Sequence, residues 1–156
     1  MKKFLKPVAF LSLSVLTLIS CSNDDENSNS DQVIQAEELP ASAKTFVTTY
    51  FPNTTYTRVE KNNQVEPDGT LYEVNLSNGF EVDFSSEGNW LDVDGQTQEL
   101  PQGIVPESIA NYVIQNYADL QMIGIDTEST EYEIDLSNGL DLYFTLAGEF
   151  VREENN

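Results

Sequence analysis

The chain contains no histidine and a single cysteine among its 156 residues. Catalytic systems that pair a serine or cysteine with histidine are therefore excluded, as are zinc sites built from histidine and cysteine. An intramolecular disulfide is excluded as well, so an apolar core must hold the fold together. No catalytic or cofactor motif stands out, and we predict a protein that is not an enzyme, has no catalytic residue and needs no cofactor.

Positive charge is also scarce, with seven Lys and Arg residues against 27 Asp and Glu residues and a formal net charge of −20. Three of the seven basic residues lie in the first six positions. Nucleic acids and anionic lipid head groups bind basic surfaces, so neither is expected as a partner. Basic proteins and cations remain open as partners, and the acidity could also serve solubility alone.

Residues 1–20 have the pattern of a bacterial lipoprotein signal peptide. Lys2, Lys3 and Lys6 precede an almost uncharged run, residues 7–19, which is too short for a permanent membrane helix. The run ends in Leu18-Ile19-Ser20-Cys21, which resembles the lipobox of bacterial lipoproteins. Cys21 is therefore the predicted lipid attachment residue, and the membrane is expected to be contacted only through this lipid.

Residues 21–37 are predicted to be a disordered acidic tether. Residues 22–31 include no apolar side chain and cannot bury enough surface to offset the chain entropy lost on ordering. The Asp24-Asp25-Glu26 cluster resembles the acidic tract that directs some lipoproteins to the outer face of the outer membrane. We therefore expect an outer membrane lipoprotein exposed at the cell surface, with a periplasm-facing anchor as the alternative.

Residues 38–156 are predicted to be one domain with an internal repeat. Residues 71–84, LYEVNLSNGFEVDF, recur as residues 131–144, EYEIDLSNGLDLYF. Repeat one spans residues 39–98 and repeat two spans residues 104–154. Each repeat opens with an apolar stripe at helical spacing and continues with alternating segments typical of strands. The predicted fold class is α+β, with two tandem helix-plus-antiparallel-strand repeats.

The Ser77-Asn78-Gly79 loop decides which residues pair in the first hairpin. A three-residue loop with Gly79 in the left-handed conformation places Val74 opposite Val82, whereas a two-residue turn would place Val74 opposite Asp83. The three-residue loop leaves one face apolar and makes acidic side chains neighbours on the other, where like charges destabilise a pair by about 0.2–1 kcal/mol. The candidate partner-binding face comprises Glu73, Asn75, Glu81, Asp83, Glu133, Asp135, Asp141 and Tyr143.

The predicted function is docking of a protein or peptide partner, basic in character, through this face. Binding of Ca²⁺ or another cation is one alternative, and a structural envelope protein is another. The best local Ca²⁺ candidate, Asp92-Val93-Asp94-Gly95, lacks the spacing of an EF-hand loop, and the sequence designates no metal ligand. A docking face would expose Tyr and Trp, whereas a cation site would gather several carboxylates around one point.

Several short motifs together resemble the PepSY-like, β-lactamase-inhibitor-like lipoproteins over nearly the whole predicted domain. They are Leu39-Pro40, Tyr50-Phe51-Pro52, Tyr72-Glu73-Val74, Leu76-Ser77-Asn78-Gly79 and Gly88-Asn89-Trp90. The resemblance implies one curved sheet of about eight strands with the helices packed on one face, and a binding or inhibitory role at a sheet face. Fold likeness does not transfer function, and no inhibitory residue can be mapped, so inhibition of a β-lactamase is not predicted.

Overall fold

Nine antiparallel strands and two α-helices make up the fold of residues 31–155, the part of the chain that the computed structural model describes. The strands are β1 (Gln32–Val33), β2 (Tyr56–Lys61), β3 (Tyr72–Leu76), β4 (Glu81–Phe84), β5 (Trp90–Asp94), β6 (Met122–Thr127), β7 (Glu131–Leu136), β8 (Leu140–Thr145) and β9 (Phe150–Asn155). The helices are α1 (Ala41–Tyr50) and α2 (Glu107–Asn116), and a short 3-10 helix spans Ala36–Glu38. The predicted signal peptide and lipid attachment residue lie outside the described residues.

The strands lie in the sheet in the same order as in the chain, and each is hydrogen-bonded to the next. Helix α1 lies between β1 and β2, and α2 lies between β5 and β6, so that four strands follow each helix. The α+β class is therefore confirmed. The open sheet has one strand more than the roughly eight predicted, because β1 adds to its first edge.

The predicted tether was wrong over its last residues. Gln32 and Val33 pair with Lys61 and Glu60 of β2, and the 3-10 helix follows directly. Ile34 explains this order, because its side chain is buried in the core and its backbone N–H donates a hydrogen bond to the carbonyl of Val59, at 2.9 Å. Residues 21–30 of the predicted tether lie outside the part of the chain that the structure describes.

The two helices begin and end at corresponding positions. Each starts directly after a proline, Pro40 or Pro106, and both prolines have a φ of −52°. Proline suits this place because its ring holds φ near the helical value and because it lacks the N–H that a first helical turn leaves unpaired. Helix α2 ends at Asn116 although no proline follows it, with the N–H of Tyr117 still bonded to the carbonyl of Val113. Among the described residues, no helix is long and apolar enough to cross a membrane.

The apolar face of the sheet is covered by both helices. A row of apolar residues in cross-strand register runs through it, from β2 to β8: Val59, Val74, Val82, Val93, Ile125, Ile134 and Leu142. These side chains belong to one buried cluster with Ala43 and Val47 of α1 and Ile109 and Val113 of α2. Fully burying each large aliphatic side chain stabilises the fold by about 1.5–3 kcal/mol, so this cluster holds the helices to the sheet.

The predicted hairpin register is confirmed. The N–H of Leu76 donates to the carbonyl of Phe80 and the N–H of Gly79 donates to the carbonyl of Leu76, both at 2.9 Å, and Gly79 has a φ of +90°. Val74 accordingly lies opposite Val82, and the β7–β8 hairpin has the same loop. The face turned away from the helices therefore carries the acidic positions of both hairpins.

Candidate functional site: an acidic sheet face

Carboxylates line the sheet face opposite the helices in two rows. In the first row, each residue lies directly opposite the next on the neighbouring strand, in the order Glu60, Glu73, Asp83, Asp92, Asp126, Glu133, Tyr143 and Arg152. The first six of these are acidic and form an unbroken run from β2 to β7. Neighbouring strands lie about 4.8 Å apart, so the run is about 24 Å long.

The second row lies two residues further along the strands. It consists of Arg58, Asn75, Glu81, Asp94, Gly124, Asp135, Asp141 and Glu154, again in cross-strand register. Residues two apart in a strand point to the same side, so both rows share one face. We call the carboxylates of these two rows the acidic face.

All eight candidate residues predicted from the sequence lie on this side of the sheet, but in two groups. One group is on the β3–β4 hairpin and the other is on the β7–β8 hairpin. Strands β5 and β6 join the groups and supply Asp92, Asp94 and Asp126, which the sequence reasoning did not place on the face. The alternation of Asp92 and Asp94 in the sequence was the signal that could have placed both on this face. The pairing of β5 with β6 had no such signal, because a long connection that contains α2 separates the two strands.

The segment considered as a Ca²⁺ loop is a strand end followed by a turn. Asp92 and Asp94 belong to β5, and the carboxylate of Asp94 accepts hydrogen bonds from the backbone N–H and the side-chain amide of Gln96, at 2.6 and 2.7 Å. Asp92 and Asp94 therefore belong to different cross-strand pairs of the sheet, and they do not surround an ion-binding loop.

Burial on the acidic face raises the pKa of several of its carboxyl groups. Burial, followed by the negative charge of Glu73, raises the pKa of Asp83 to about 7. Burial, followed by the charge of Asp83 and Asp126, raises the pKa of Asp92 to about 8. The pKa values of Asp126, Glu133, Asp135 and Asp141 are raised as well, with burial as the largest cause in each case. A positively charged ligand would offset both the cost of charging these buried groups and the repulsion between them.

The basic residues on this side of the sheet lie only near its two edges, on β2 and β9. Arg58 of β2 forms an ion pair with Glu60, and Arg152 of β9 binds both carboxylate oxygens of Glu131 at 2.8 and 2.9 Å. The guanidinium of Arg152 also lies 3.6 Å from the ring centre of Tyr143. Residues 62–151 contain neither Lys nor Arg, so the middle of the acidic face is uncompensated.

The aromatic side chains expected of a docking face are not exposed there. Trp90 lies on the helix side, with its ring 6.0 Å from that of Phe46 of α1. Tyr143 faces the acidic side but is only 9% exposed, and Arg152 covers it. The acidic face therefore offers charge rather than aromatic surface to a ligand.

Three carboxylates of the face converge on one point. Glu133, Asp135 and Asp141 each place one oxygen within 4.8 Å of the oxygens of the other two. Asp141 is 6% exposed. Gly124 lies opposite Asp135, and a side chain at position 124 would overlap the Asp135 carboxylate, so the glycine makes room for it.

Comparison with known proteins finds one matching family and several similar structures. The family described as "Putative beta-lactamase-inhibitor-like, PepSY-like" matches residues 70–152. A "putative calcium-regulated periplasmic protein" from Bacteroides thetaiotaomicron is 30% identical with a TM-score of 0.74, covering 80% of this chain and 97% of its own. No curated protein gives a significant match.

Two proteins from Bacteroides vulgatus have the same fold. A putative periplasmic protein of the DUF2874 family is 29% identical with a TM-score of 0.73, covering 82% of this chain and 99% of its own. A second, described as a putative periplasmic protein of unknown function, is 27% identical with a TM-score of 0.75, covering 81% and 100%. All three similar structures are thus described as periplasmic proteins.

Proposed function

Because the chain belongs to the PepSY-like, β-lactamase-inhibitor-like family, we propose that it is a non-enzymatic binding module of the cell envelope that docks a basic protein segment on its acidic face. The periplasmic descriptions of its relatives support an envelope location. The sequence pattern around Cys21 supports attachment through a lipid, and the acidic stretch after it supports display at the outer membrane surface. A periplasm-facing anchor is the alternative.

The observation that carries this proposal is the unbroken run of six carboxylates from β2 to β7. Like charges placed directly opposite each other in a sheet destabilise it, so a scaffold without a ligand would gain by avoiding them. Lys and Arg side chains of a partner would remove this repulsion. The run, about 24 Å long, would accommodate roughly seven residues of an extended segment.

The absence of exposed aromatic side chains from the acidic face, within residues 31–155, favours a particular kind of docking. Aromatic anchors dominate tight interfaces, whereas complementary charge mainly accelerates association and selects partners. We therefore propose a fast and salt-sensitive interaction.

We also infer that the face arose by duplication of a unit of one helix and four strands. Glu73 and Asn75 of the first unit correspond to Glu133 and Asp135 of the second, at the same places in their hairpins. The order of one helix and four strands, repeated once, supports this history. Duplication would have lengthened an acidic patch of one hairpin into a face that runs from β2 to β9.

A labelled octalysine peptide provides a direct test by fluorescence anisotropy at pH 8, in the presence of a metal chelator. The full chain, extracted in mild detergent, should bind the peptide, and binding should weaken steeply as salt shortens the screening length from about 20 to about 6 Å. Replacing Glu73 with Gln and Asp83 and Asp126 with Asn should weaken binding about tenfold, equivalent to about 1.4 kcal/mol.

The control is a variant with the same change in net charge away from the face: Glu107→Gln, Asp119→Asn and Glu149→Gln. All three side chains are exposed outside the two rows. Binding of the peptide by this control should remain within about twofold of the original chain. Equal losses in both triple variants would mean that net charge alone attracts the peptide, and the docking proposal would then be wrong.

A second candidate function is calcium-dependent binding. It is favoured by the convergence of Glu133, Asp135 and Asp141, and by the description of one relative as a putative calcium-regulated periplasmic protein. Thermal unfolding of the full chain, with Ca²⁺ and monovalent salt compared at equal ionic strength, separates it from diffuse screening. A rise in melting temperature specific to Ca²⁺ would support it, and equal rises would reject it.

A further inference from the structure

We propose that Glu133, Asp135 and Asp141 form a single Ca²⁺ site on the β7–β8 hairpin. This site gives a location to the calcium-dependent candidate function. It does not require that the chain docks a protein, because a metal ion alone would occupy it.

The distances suit one ion. Ca²⁺ binds oxygens at about 2.3–2.6 Å, so two oxygens on the same ion are at most about 5 Å apart. The three carboxylates already place one oxygen each within 4.8 Å of one another. An ion between them would contact all three with little movement of the backbone, and water would fill its remaining coordination positions.

Asp141 provides a second observation. The residue is 6% exposed, and within residues 31–155 its carboxylate forms no hydrogen bond or ion pair. The charge that bears on it most is that of Glu154, which is negative. Buried carboxylates in proteins are normally paired or coordinate a metal. A cation at this point would supply the partner that Asp141 lacks.

Gly124 shows that the backbone is adapted to the cluster. Glycine weakens a strand, and its presence within β6 marks a close approach by another group. That group is the Asp135 carboxylate, which a side chain at position 124 would displace. At the corresponding positions of the first half of the sheet, Arg58 lies opposite Asn75. The acidic cluster and the glycine beside it therefore occur together, in the second half alone.

The chemistry of the cluster selects Ca²⁺ over other ions. All three ligands are carboxylates, which suit hard cations, and the chain has no histidine to favour a transition metal. Mg²⁺ needs near-octahedral oxygens at about 2.0–2.1 Å and gives up its water reluctantly, whereas Ca²⁺ accepts six to eight oxygens in irregular arrangements. Three carboxylates on a strand surface therefore suit Ca²⁺ better than Mg²⁺.

Calorimetric titration of the full chain in mild detergent, at fixed ionic strength and pH 8, tests the site with Ca²⁺ as the probe. We expect saturable binding of one Ca²⁺ per chain. Asp135→Asn and Asp141→Asn should each weaken it by about tenfold or more, because even groups outside the first coordination shell contribute factors of about 10–100. Glu81→Gln is the matched control, because Glu81 holds on β4 the place that Asp141 holds on β8, and it should bind Ca²⁺ as the original chain does.

The proposal would be overturned if no saturable binding appeared up to about 10 mM Ca²⁺, a concentration beyond the range of weak extracellular sites. It would also be overturned if Glu81→Gln weakened Ca²⁺ binding as much as the Asn variants do, or if Mg²⁺ bound as tightly as Ca²⁺. Unfolding measured without Ca²⁺ verifies that the Asn variants are folded, and removal of a repelling charge should make them no less stable. The octalysine experiment contains a chelator, so it can fail or succeed independently of this one.

Discussion

Raising the pH from 5 to 8 should destabilise this protein, whereas many proteins are most stable in that range. The reason lies in Asp83 and Asp92, which face each other on β4 and β5. Burial and neighbouring carboxylates raise their pKa values to about 7 and about 8. In the unfolded chain both groups would return to a pKa of about 3.9. Between these values the folded state binds more protons than the unfolded state, so the free energy of unfolding falls as pH rises.

The magnitude follows from the size of the shifts. One pKa unit corresponds to about 1.4 kcal/mol, so either carboxyl alone would cost about 4–6 kcal/mol when fully charged. The two titrate as a coupled pair, and relaxation of the face would lower their combined cost. We therefore expect a loss of about 4 kcal/mol between pH 5 and pH 8. Glu60 and Glu131, whose pKa values are lowered by Arg58 and Arg152, act in the opposite direction, but only below this range.

The assay is urea unfolding of the full chain with a chelator present, at four pH values from about 5 to 8 and constant ionic strength. Asp92→Asn removes one of the two charges and should stabilise the protein by about 2–3 kcal/mol at pH 8, with little effect at pH 5. Asp119→Asn, an exposed acid after α2, should change stability by less than about 0.5 kcal/mol at either pH. Stability that stays constant or rises from pH 5 to pH 8 would refute the reasoning, as would an Asp92→Asn variant that behaves like Asp119→Asn.

Two further predictions concern the fold. Gly148 and Gly139 have nearly equal φ values, +82° and +81°, but a side chain at 148 would overlap Ser108 of α2 whereas nothing lies within 4 Å at 139. Gly148→Ala should therefore cost about 1–3 kcal/mol more than Gly139→Ala in urea unfolding, and equal costs would show that α2 shifts freely. Phe144 is fully buried, whereas Phe150 is 37% exposed. Phe144→Ala should therefore lower the free energy of unfolding by about 3–5 kcal/mol, and Phe150→Ala should lower it clearly less. The reverse order in thermal unfolding would contradict the described core.

Much of the fold could be predicted because its signals are local. The apolar spacing of each helix, the proline before it and the parity of the Ser77-Asn78-Gly79 loop concern residues that are close in the chain. A loop of fixed length determines which residues pair in a hairpin, and a period of two then determines which face each side chain occupies. The prediction that acidic side chains become cross-strand neighbours was correct for this reason: Glu73 lies opposite Asp83, and Asp135 lies opposite Asp141.

Other expectations failed because they depended on distant contacts. The predicted tether extended too far, since a segment rich in polar residues is ordered here by the burial of Ile34 against the core and by pairing with β2. A docking face was expected to expose Tyr and Trp, but Trp90 lies on the helix side of the sheet, where α1 places Phe46 over it. In both cases a second element, far away in the chain, decides where the side chain lies.

The sequence by itself determined the acidity of the chain, its lack of histidine, the helices and the register of the β3–β4 and β7–β8 hairpins, because composition and short-range periodicity are properties of neighbouring residues. Only the tertiary structure decided that β5 pairs with β6. This contact joins two acidic patches into one run and brings Asp126 opposite Asp92. It also decided the burial of Asp92 and Asp141, and burial, which depends on the whole sheet around a side chain, is what raises their pKa values.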